Sequence, residues 1–321
     1  MGNPAYQFVQ RVCDRTGTLI AEQAVTDFRP LAEDVAFSGV LGGRLANDGK
    51  WGAASVEPFF EEEKLAGVTV RRAGEQKSYP NSVFADQAWA MLLAADGMDD
   101  EASAREKVTF TWELQLRLRD PDSQKKRLSA AVTYAPFPFS ADTAGALGIE
   151  ADGRRADIWV SSKLLEELRE SAVKNLDRER AHFLTGRLLK EGGRGVVALS
   201  GRIAAEIESG SSAVHFGFSP QTFAAARREA ERRNDGLAVL AWAHNHPPPC
   251  RFDCLGVAPP CASDNVFFSV ADRSVHRAGF SAPYAAALVA AKGAGRRADD
   301  PEFRAYGWRG GVIVEKDFYT F

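Results

Sequence analysis

The sequence lacks any long uninterrupted run of apolar residues. No stretch approaches the roughly 18 apolar residues that a helix needs to cross a bilayer. Residues 1–10 also lack the basic start and apolar core of a secretory signal. We therefore expect a cytoplasmic protein with no membrane partner.

Basic charge is not in excess either. Forty Lys and Arg residues are balanced by 43 Asp and Glu residues, which gives a net charge of −3 at pH 7. Nucleic-acid affinity depends largely on Lys and Arg at phosphates, so this balance argues against a nucleic-acid partner. The arginine pairs at 227–228 and 232–233 alternate with glutamates, which is typical of a solvated, salt-bridged helix face.

Cysteine is scarce, with four residues in 321, which is too few for a disulfide scaffold. Three of the four lie close together, at Cys250, Cys254 and Cys261. Three interpretations stay open for them: reduced thiols in a loop, a second and structural metal site, or a disulfide. The spacing lacks the closely spaced pair of a zinc knuckle and no histidine lies between them, so reduced thiols are favoured.

The length favours two domains, because single cores rarely grow past roughly 250 residues. Residues 1–135 are predicted to form an α+β accessory domain of unknown role. It has a helical pattern at Val83–Asp96, and alternating apolar residues at 108–118 and 128–134 predict an antiparallel hairpin. Residues 136–154, rich in Gly, Ala and Asp, are predicted to be a linker.

Residues 155–321 form the second predicted domain, in which short apolar strands alternate with helices. Ile158–Val160 is a predicted strand, and Ser161 or Ser162 caps the helix after it. Ser219-Pro220 begins another helix, which Asn234-Asp235-Gly236 ends. Further strands are predicted at 196–203, 213–218, 237–243 and 284–291.

Two histidines follow one of these strands directly. The apolar run Leu237–Ala243 leads into His244-Asn245-His246-Pro247. Residues two apart on a strand point to the same side, so both imidazoles are predicted to emerge together where the chain leaves the sheet. Imidazole suits zinc, and a catalytic zinc site typically takes three protein ligands. The pattern therefore predicts a metal site with a third ligand elsewhere in the chain.

Acidic residues on both sides of this motif complete the candidate site. Asp272 supplies a carboxylate, and Ser269 precedes it by about one helical turn on the same face. Glu179 enters an apolar strand, where a carboxylate is costly without a task or a partner. The remaining histidines and the intervening asparagine are interpreted as structural, surface or loop residues: His182, His215, His276 and Asn245.

With these residues in this order, the chain from about Ile158 onward resembles the JAMM metalloprotease domain, also called JAB or catalytic MPN. The signature of that family is an early Glu, then His-x-His-Pro, then Ser-x-x-Asp. The resemblance implies a three-layer α/β fold of the cytidine-deaminase-like kind with a mixed sheet. It also implies Zn²⁺ on His244, His246 and Asp272, with Glu179 as general base and Ser269 donating to the oxyanion.

The same resemblance implies a function. Family members mostly cleave after the C-terminal glycine of ubiquitin or a ubiquitin-like protein, so we expect an isopeptidase or peptidase acting on such a protein or its conjugates. Cognate E1- or E2-like enzymes are further implied partners. The Ala-, Arg- and Gly-rich composition fits a GC-rich genome, and hence a prokaryotic pathway. The alternatives are a non-catalytic MPN-type scaffold and a RadC-like, DNA-associated protein.

One departure from the family pattern concerns the spacing. Twenty-two residues separate His246 from Ser269, whereas the family usually places this Ser a few residues after the histidines. Ser263 and Asp264 are nearer but lack the Ser-x-x-Asp spacing, so the later pair is preferred. We expect the inserted segment, Pro247–Phe268, to form part of a substrate-facing wall.

Overall fold

The computed structural model describes residues 6–96, 110–118, 136–149, 157–205, 218–248 and 264–321. The three clustered cysteines lie outside these ranges, as do the predicted strands at 128–134 and most of 213–218. The chain divides into two compact units, Met1–Phe137 with Gly310–Val312, and Pro138–Arg309 with Ile313–Phe321. The division falls inside the segment that the sequence predicts to be a linker.

In its described residues, the first unit combines two helices with two antiparallel three-stranded sheets, whose strand orders are β2-β1-β6 and β3-β4-β5. Its elements are β1 (Tyr6–Asp14), β2 (Leu19–Ala24), α1 (Arg29–Leu41), β3 (Ser55–Glu61), β4 (Lys64–Arg72), β5 (Glu75–Pro80), a 3-10 turn (Asn81–Phe84), α2 (Ala85–Asp96) and β6 (Phe110–Leu118).

The alternation predicted at 108–118 is visible in β6. Leu114 is buried, and Trp112 and Leu116 pack against the same core, whereas Thr111 and Glu113 are exposed. A strand with one wet face produces this pattern because successive side chains point to opposite sides. β6 pairs antiparallel with β1, a partner from the beginning of the chain that the sequence pattern does not identify.

The second unit is built around one eight-stranded mixed sheet, in the order β13-β12-β11-β10-β8-β9-β7-β14. Its elements are a 3-10 turn (Gly145–Leu147), β7 (Ile158–Val160), α3 (Ser162–Lys174), β8 (Ala181–Glu191), β9 (Arg194–Ala204), α4 (Pro220–Arg233), β10 (Ala238–Asn245), α5 (Val270–Gly279), β11 (Ala286–Ala291), β12 (Glu302–Arg309), β13 (Val312–Lys316) and β14 (Phe318–Thr320).

This sheet corrects the predicted fold class. β13 and β14 form the two opposite edges of the sheet, yet a single residue, Asp317, connects them. One connecting residue spans at most about 7 Å, so the edges must approach each other and the sheet is nearly closed and barrel-like. Helices account for about 27% of the structure. The three-layer α/β, cytidine-deaminase-like arrangement that the resemblance implies is therefore wrong. The resemblance depends on a few site residues, and these do not specify how the sheet around them curls.

The helix starts of this unit follow the predicted capping chemistry. The side chains of Ser161 and Ser219 accept hydrogen bonds from backbone N–H groups of the first turns of α3 and α4, and Pro220 occupies the first position of α4. Asn234 ends α4 in the left-handed conformation, with φ of 50°.

Among the described residues, no helix has both the length and the apolar character that a bilayer span requires.

Candidate metal centre

The two histidines of the motif lie at the end of β10, a buried strand in the middle of the sheet. β10 pairs antiparallel with β8 and parallel with β11. His244 is the last residue but one of β10, and the backbone N–H of His246 donates to the carbonyl of Ala290, which continues the ladder beyond the strand. The two imidazole Nε2 atoms are 2.9 Å apart. The predicted convergence of the two rings is present.

Asp272 reaches the same point from the first turn of α5. Its Oδ1 lies 3.1 Å from Nε2 of His244, and its Oδ2 lies 3.5 Å from Nε2 of His246. All three side chains are buried, and one ligand atom from each lies within 4.8 Å of the others. Among the described residues this is the only group of three or more His, Cys, Asp or Glu side chains with such an arrangement.

The donor atoms fit a tetrahedral metal. Zinc–ligand bonds of about 2.0–2.1 Å place neighbouring donors about 3.3 Å apart, and the observed separations of 2.9, 3.1 and 3.5 Å bracket that value. Two imidazoles and one carboxylate form one of the donor sets found in catalytic zinc sites, which leave a fourth position for water. The residues present therefore fit the zinc ion that the resemblance implies.

The environment of each imidazole fixes its orientation. Nδ1 of His246 lies 3.0 Å from the carbonyl oxygen of Asn265, which can only accept, so Nδ1 carries a proton and the neutral form of the ring has its lone pair at Nε2. The Trp242 ring stacks on His244 at 4.8 Å between centroids and 14° between planes. The Trp242 indole N–H in turn donates to Nδ1 of buried His276 over 3.0 Å.

Electrostatics couple the three side chains. Burial opposes ionisation of Asp272, but attraction and hydrogen bonds from the two imidazoles hold its pKa well below the ordinary value. Burial also lowers the pKa of His244. For His246 burial acts in the same direction, but Asp272 outweighs it and raises the pKa. An ionised carboxylate between two imidazoles is therefore the favoured state, and it suits a bound cation.

Glu179 lies in the loop between α3 and β8, half-buried. Burial raises its pKa to about 7, with a further increase from Asp272 and an opposing decrease from His246. A carboxyl group that titrates near neutrality close to the cluster can both accept and release a proton. The sequence places Glu179 at the start of a strand, and the structure places it two residues before that strand begins.

Ser269 has a definite structural role. It is the N-cap of α5: its hydroxyl oxygen accepts from the Asp272 N–H at 3.1 Å, and Asp272 Oδ2 accepts from the Ser269 N–H at 2.8 Å. This capping box fixes the carboxylate in place while the hydroxyl proton stays available to a further acceptor. The nearer acid, Asp264, instead pairs with the guanidinium of Arg304 at 2.8 Å.

Asn245, which the sequence suggested to be only a loop residue, is buried and heavily hydrogen-bonded. Its side-chain amide donates to the carbonyls of Asn175 and Arg178, and its Oδ1 accepts from the N–H of Arg180. The signal that could have identified it is its position: a residue between two predicted ligands at a strand end is held on a buried element, where polar groups need partners.

Two side chains outside the motif border the cluster. The Phe267 ring lies 5.0 Å from the His246 ring and is 44% exposed, although phenylalanine is ordinarily buried. On another side, a small pocket lined in part by His246, Pro248 and Lys292 adjoins the cluster. Phe267 and Pro248 belong to the segment for which we expect a substrate-facing wall, and the middle of that segment lies outside the described residues.

The comparisons with known proteins add little to this chemistry. No protein-family model matches the chain, and no curated protein matches it. Among solved structures, a protein from Desulfitobacterium hafniense, determined in solution, is similar at 16% identity with a TM-score of 0.34. The similarity covers 51% of this chain and 92% of that chain. This likeness is too low to carry an argument, so function must be inferred from the site itself.

Proposed function

We propose that this protein is a zinc-dependent peptidase of the JAMM type, acting on the bond after the C-terminal glycine of a ubiquitin-like protein. The observation that carries the proposal is the buried His244, His246 and Asp272 cluster with Glu179 coupled to it. The proposal depends on the donor set and its geometry, and on the order of these residues in the chain. It does not depend on the fold class.

The proposed reaction is hydrolysis of an amide or isopeptide bond. A zinc ion held by His244, His246 and Asp272 would polarise the scissile carbonyl and make a water molecule a stronger nucleophile at neutral pH. Glu179 takes one proton from the attacking water as its oxygen bonds to the carbonyl carbon. Glu179 then returns that proton to the leaving nitrogen as the carbon–nitrogen bond breaks. The products are a carboxylic acid, which loses its proton to solvent at neutral pH, and an amine.

Two further features support this assignment of roles. The pKa of about 7 at Glu179 matches a group that must accept and then donate a proton near neutral pH. The Ser269 hydroxyl accepts from the backbone of α5 and keeps its own proton, so it can donate to the negative charge that develops on the carbonyl oxygen. The substrate class comes from the resemblance alone.

The test combines metal analysis with cleavage. Purified wild-type protein, Glu179→Gln and chelator-treated wild type are incubated with ubiquitin-like proteins that carry a C-terminal amide-linked extension or an isopeptide-linked lysine peptide. Mass spectrometry then reads the new termini. We expect about one zinc per chain and cleavage after the terminal glycine by the untreated wild type only.

Two controls make the result decisive. Adding back zinc should restore cleavage to the chelated wild type, and the Glu179→Gln protein should retain zinc and capture uncleaved modifier from cell extract. If the zinc-loaded wild type leaves every amide-linked substrate intact and the Glu179→Gln variant captures no ubiquitin-like protein, the proposed function is wrong. A non-catalytic scaffold of the MPN kind would behave in that way.

A further inference from the structure

We propose that Asn245 is a positioning residue, which holds the Glu179 loop against the strand that carries the two histidines. The catalytic consequence rests on the proposed function, whereas the structural clamp does not. Asn245 is 5% exposed, and its side chain contacts the backbone on both sides of Glu179.

The hydrogen bonds around Asn245 have one common target, the loop between α3 and β8. Its Nδ2 donates to the carbonyl of Asn175 at 2.8 Å and to that of Arg178 at 3.2 Å. Its Oδ1 accepts from the N–H of Arg180 at 2.7 Å, and its own backbone N–H donates to the Arg180 carbonyl at 3.2 Å. The residues immediately before and after Glu179 are therefore both tied to Asn245.

The alternation of side chains along β10 connects these hydrogen bonds to the metal ligands. Side chains of successive strand residues point to opposite sides, so His244 and His246 share one side while the intervening residue takes the other. The metal ligands and the clamp thus come from one rigid three-residue segment. A loop fixed to that segment keeps the Glu179 carboxyl at a constant position relative to the two imidazoles.

The chemistry of the clamp requires an amide side chain. Asn245 faces two carbonyl oxygens and one N–H group, and an amide offers two donors and an acceptor in one planar group. Aspartate keeps the acceptor but places a second oxygen against two carbonyls. Alanine keeps neither, and it leaves three part-buried backbone groups without this partner.

A second set of contacts ties the same loop to α3. Nε of Arg180 donates to Oδ1 of Asn175 at 3.1 Å, and Nδ2 of Asn175 donates to the carbonyl of Ser171 at 2.7 Å. These bonds anchor the loop at one end, where it leaves the helix. Among the described residues, the side chain of Asn245 supplies the side-chain hydrogen bonds from the strand of the metal ligands to this loop, and the backbone bond to Arg180 and the β8–β10 ladder remain when that side chain is replaced. Replacing Asn245 should therefore loosen Glu179 without removing the loop from α3.

The test uses Asn245→Ala and Asn245→Asp, each alone and combined with Glu179→Gln, with Asn81→Ala as the matched control. Asn81 also uses its Nδ2 to hold a backbone carbonyl, that of Leu65, in the first unit. We expect both Asn245 variants to keep about one zinc per chain and an unchanged KM, and to lose about 10- to 100-fold in kcat. Asn81→Ala should keep the wild-type kcat.

The double variants separate positioning from a general structural defect. If Asn245 acts through Glu179, then Asn245→Ala should lower kcat less than about threefold in the Glu179→Gln background. An equal loss in both backgrounds, a loss of zinc, or a wild-type kcat in Asn245→Ala would overturn the proposal. Asn245→Asp, which keeps the bond from Arg180, supplies the same comparison if the alanine variant does not fold.

Amide hydrogen exchange tests the clamp without any substrate. The Arg180 N–H should be protected in the wild type and exchange at least tenfold faster in Asn245→Ala, while amides in the middle of β10 stay protected. Rapid exchange of Arg180 in the wild type would contradict the clamp even if the protein is an active peptidase. Protected exchange with no hydrolysis would contradict the proposed function and leave the clamp supported.

Discussion

Two buried histidine clusters lie on neighbouring strands of the large sheet, and they differ in what their nitrogens contact. One contains His244 and His246 at the end of β10. The other contains His182 of β8, which lies opposite Ala243 in the ladder that joins the two strands. The imidazoles of both clusters are buried and both lie beside charged side chains, so burial of the histidine and residue type do not distinguish them.

The difference lies in the partners. The His182 Nδ1 atom is 3.4 Å from the Arg202 guanidinium, which can only donate, so Nδ1 accepts and Nε2 carries the proton. That Nε2 donates to the Ser171 hydroxyl oxygen at 2.9 Å. His182 therefore has no lone pair left for a metal, nor to remove a proton from Ser171. His246 has the reverse arrangement, because its Nδ1–H donates to a carbonyl oxygen and its Nε2 faces a carboxylate.

The electrostatic surroundings of the two clusters also differ. Burial, and then Arg202 and Arg180, lower the pKa of His182 to about 4, so its surroundings repel a cation. The His244 and His246 cluster surrounds an ionised Asp272, which attracts one. The comparison shows what distinguishes His246 from His182 as a candidate ligand: its Nδ1 donates to a carbonyl oxygen, and an acid lies beside its Nε2.

The largest expected effect is on metal content. His246→Ala and Asp272→Ala should reduce zinc from about one per chain to near zero and abolish hydrolysis, because two remaining donors hold the ion weakly. His182→Ala should keep the wild-type zinc content. Elemental analysis of the purified variants measures this. Equal zinc in all three proteins would remove the proposed distinction between the clusters.

The next effect is on turnover. Glu179→Gln should keep zinc and the fold but lower kcat by about two to four orders of magnitude, the usual contribution of a general base. Glu167→Gln is the matched control, because Glu167 pairs with Arg202 of the His182 cluster at 2.9 Å. Its kcat should be close to wild type. A near-normal rate for Glu179→Gln would return that residue to a structural role.

A smaller effect separates the two functions of Ser269. Ser269→Ala should lose about 1 kcal/mol of unfolding free energy through the missing cap, and about 10²–10³ in kcat if the hydroxyl donates to the oxyanion. Ser161→Ala removes the cap of α3, where the hydroxyl accepts from Leu164, and should cost similar stability without a kcat effect. Urea unfolding and steady-state kinetics measure both. If the two variants lose equal activity, Ser269 serves only as a cap.

The smallest effect is on stability at low pH. The pKa of His182 falls from 6.5 to about 4 on folding, so the unfolded chain binds a proton that the folded chain does not. The contribution of neutral His182 to the free energy of unfolding is complete above pH 6.5 and decreases as the pH falls towards 4. When the pH falls from 7 to 5.5, we expect the unfolding free energy of the wild type to decrease by about 1 kcal/mol more than that of His182→Gln. If the urea midpoints of the two proteins change with pH by the same amount, the lowered pKa of His182 is contradicted.

How much of the site could be predicted from the sequence depends on how local each feature is. The same-side placement of His244 and His246 follows from strand geometry, and the Ser269 cap follows from its spacing to Asp272. The position of Asn245 between two predicted ligands marks it as a residue that needs partners, but it does not name those partners, which lie about 65 to 70 residues earlier in the chain. The contacts that distinguish His182 from a ligand are equally hidden from local patterns, since Ser171 and Arg202 come from different elements.

The sequence by itself determined the elements that depend on neighbouring residues: β6 with its alternation, the helix from Pro220 to Arg233 with its capping serine and terminal asparagine, and the paired histidines after an apolar strand. Their period and capping chemistry are encoded within a few residues. The Ser-x-x-Asp spacing already favoured Asp272 over Asp264, and the structure brings Asp272 to the histidines. Only the tertiary structure decided that the sheet closes on itself through Asp317 and that the Asn245 side chain bonds to the loop of Glu179. Such outcomes depend on pairings between distant segments, which local patterns do not specify.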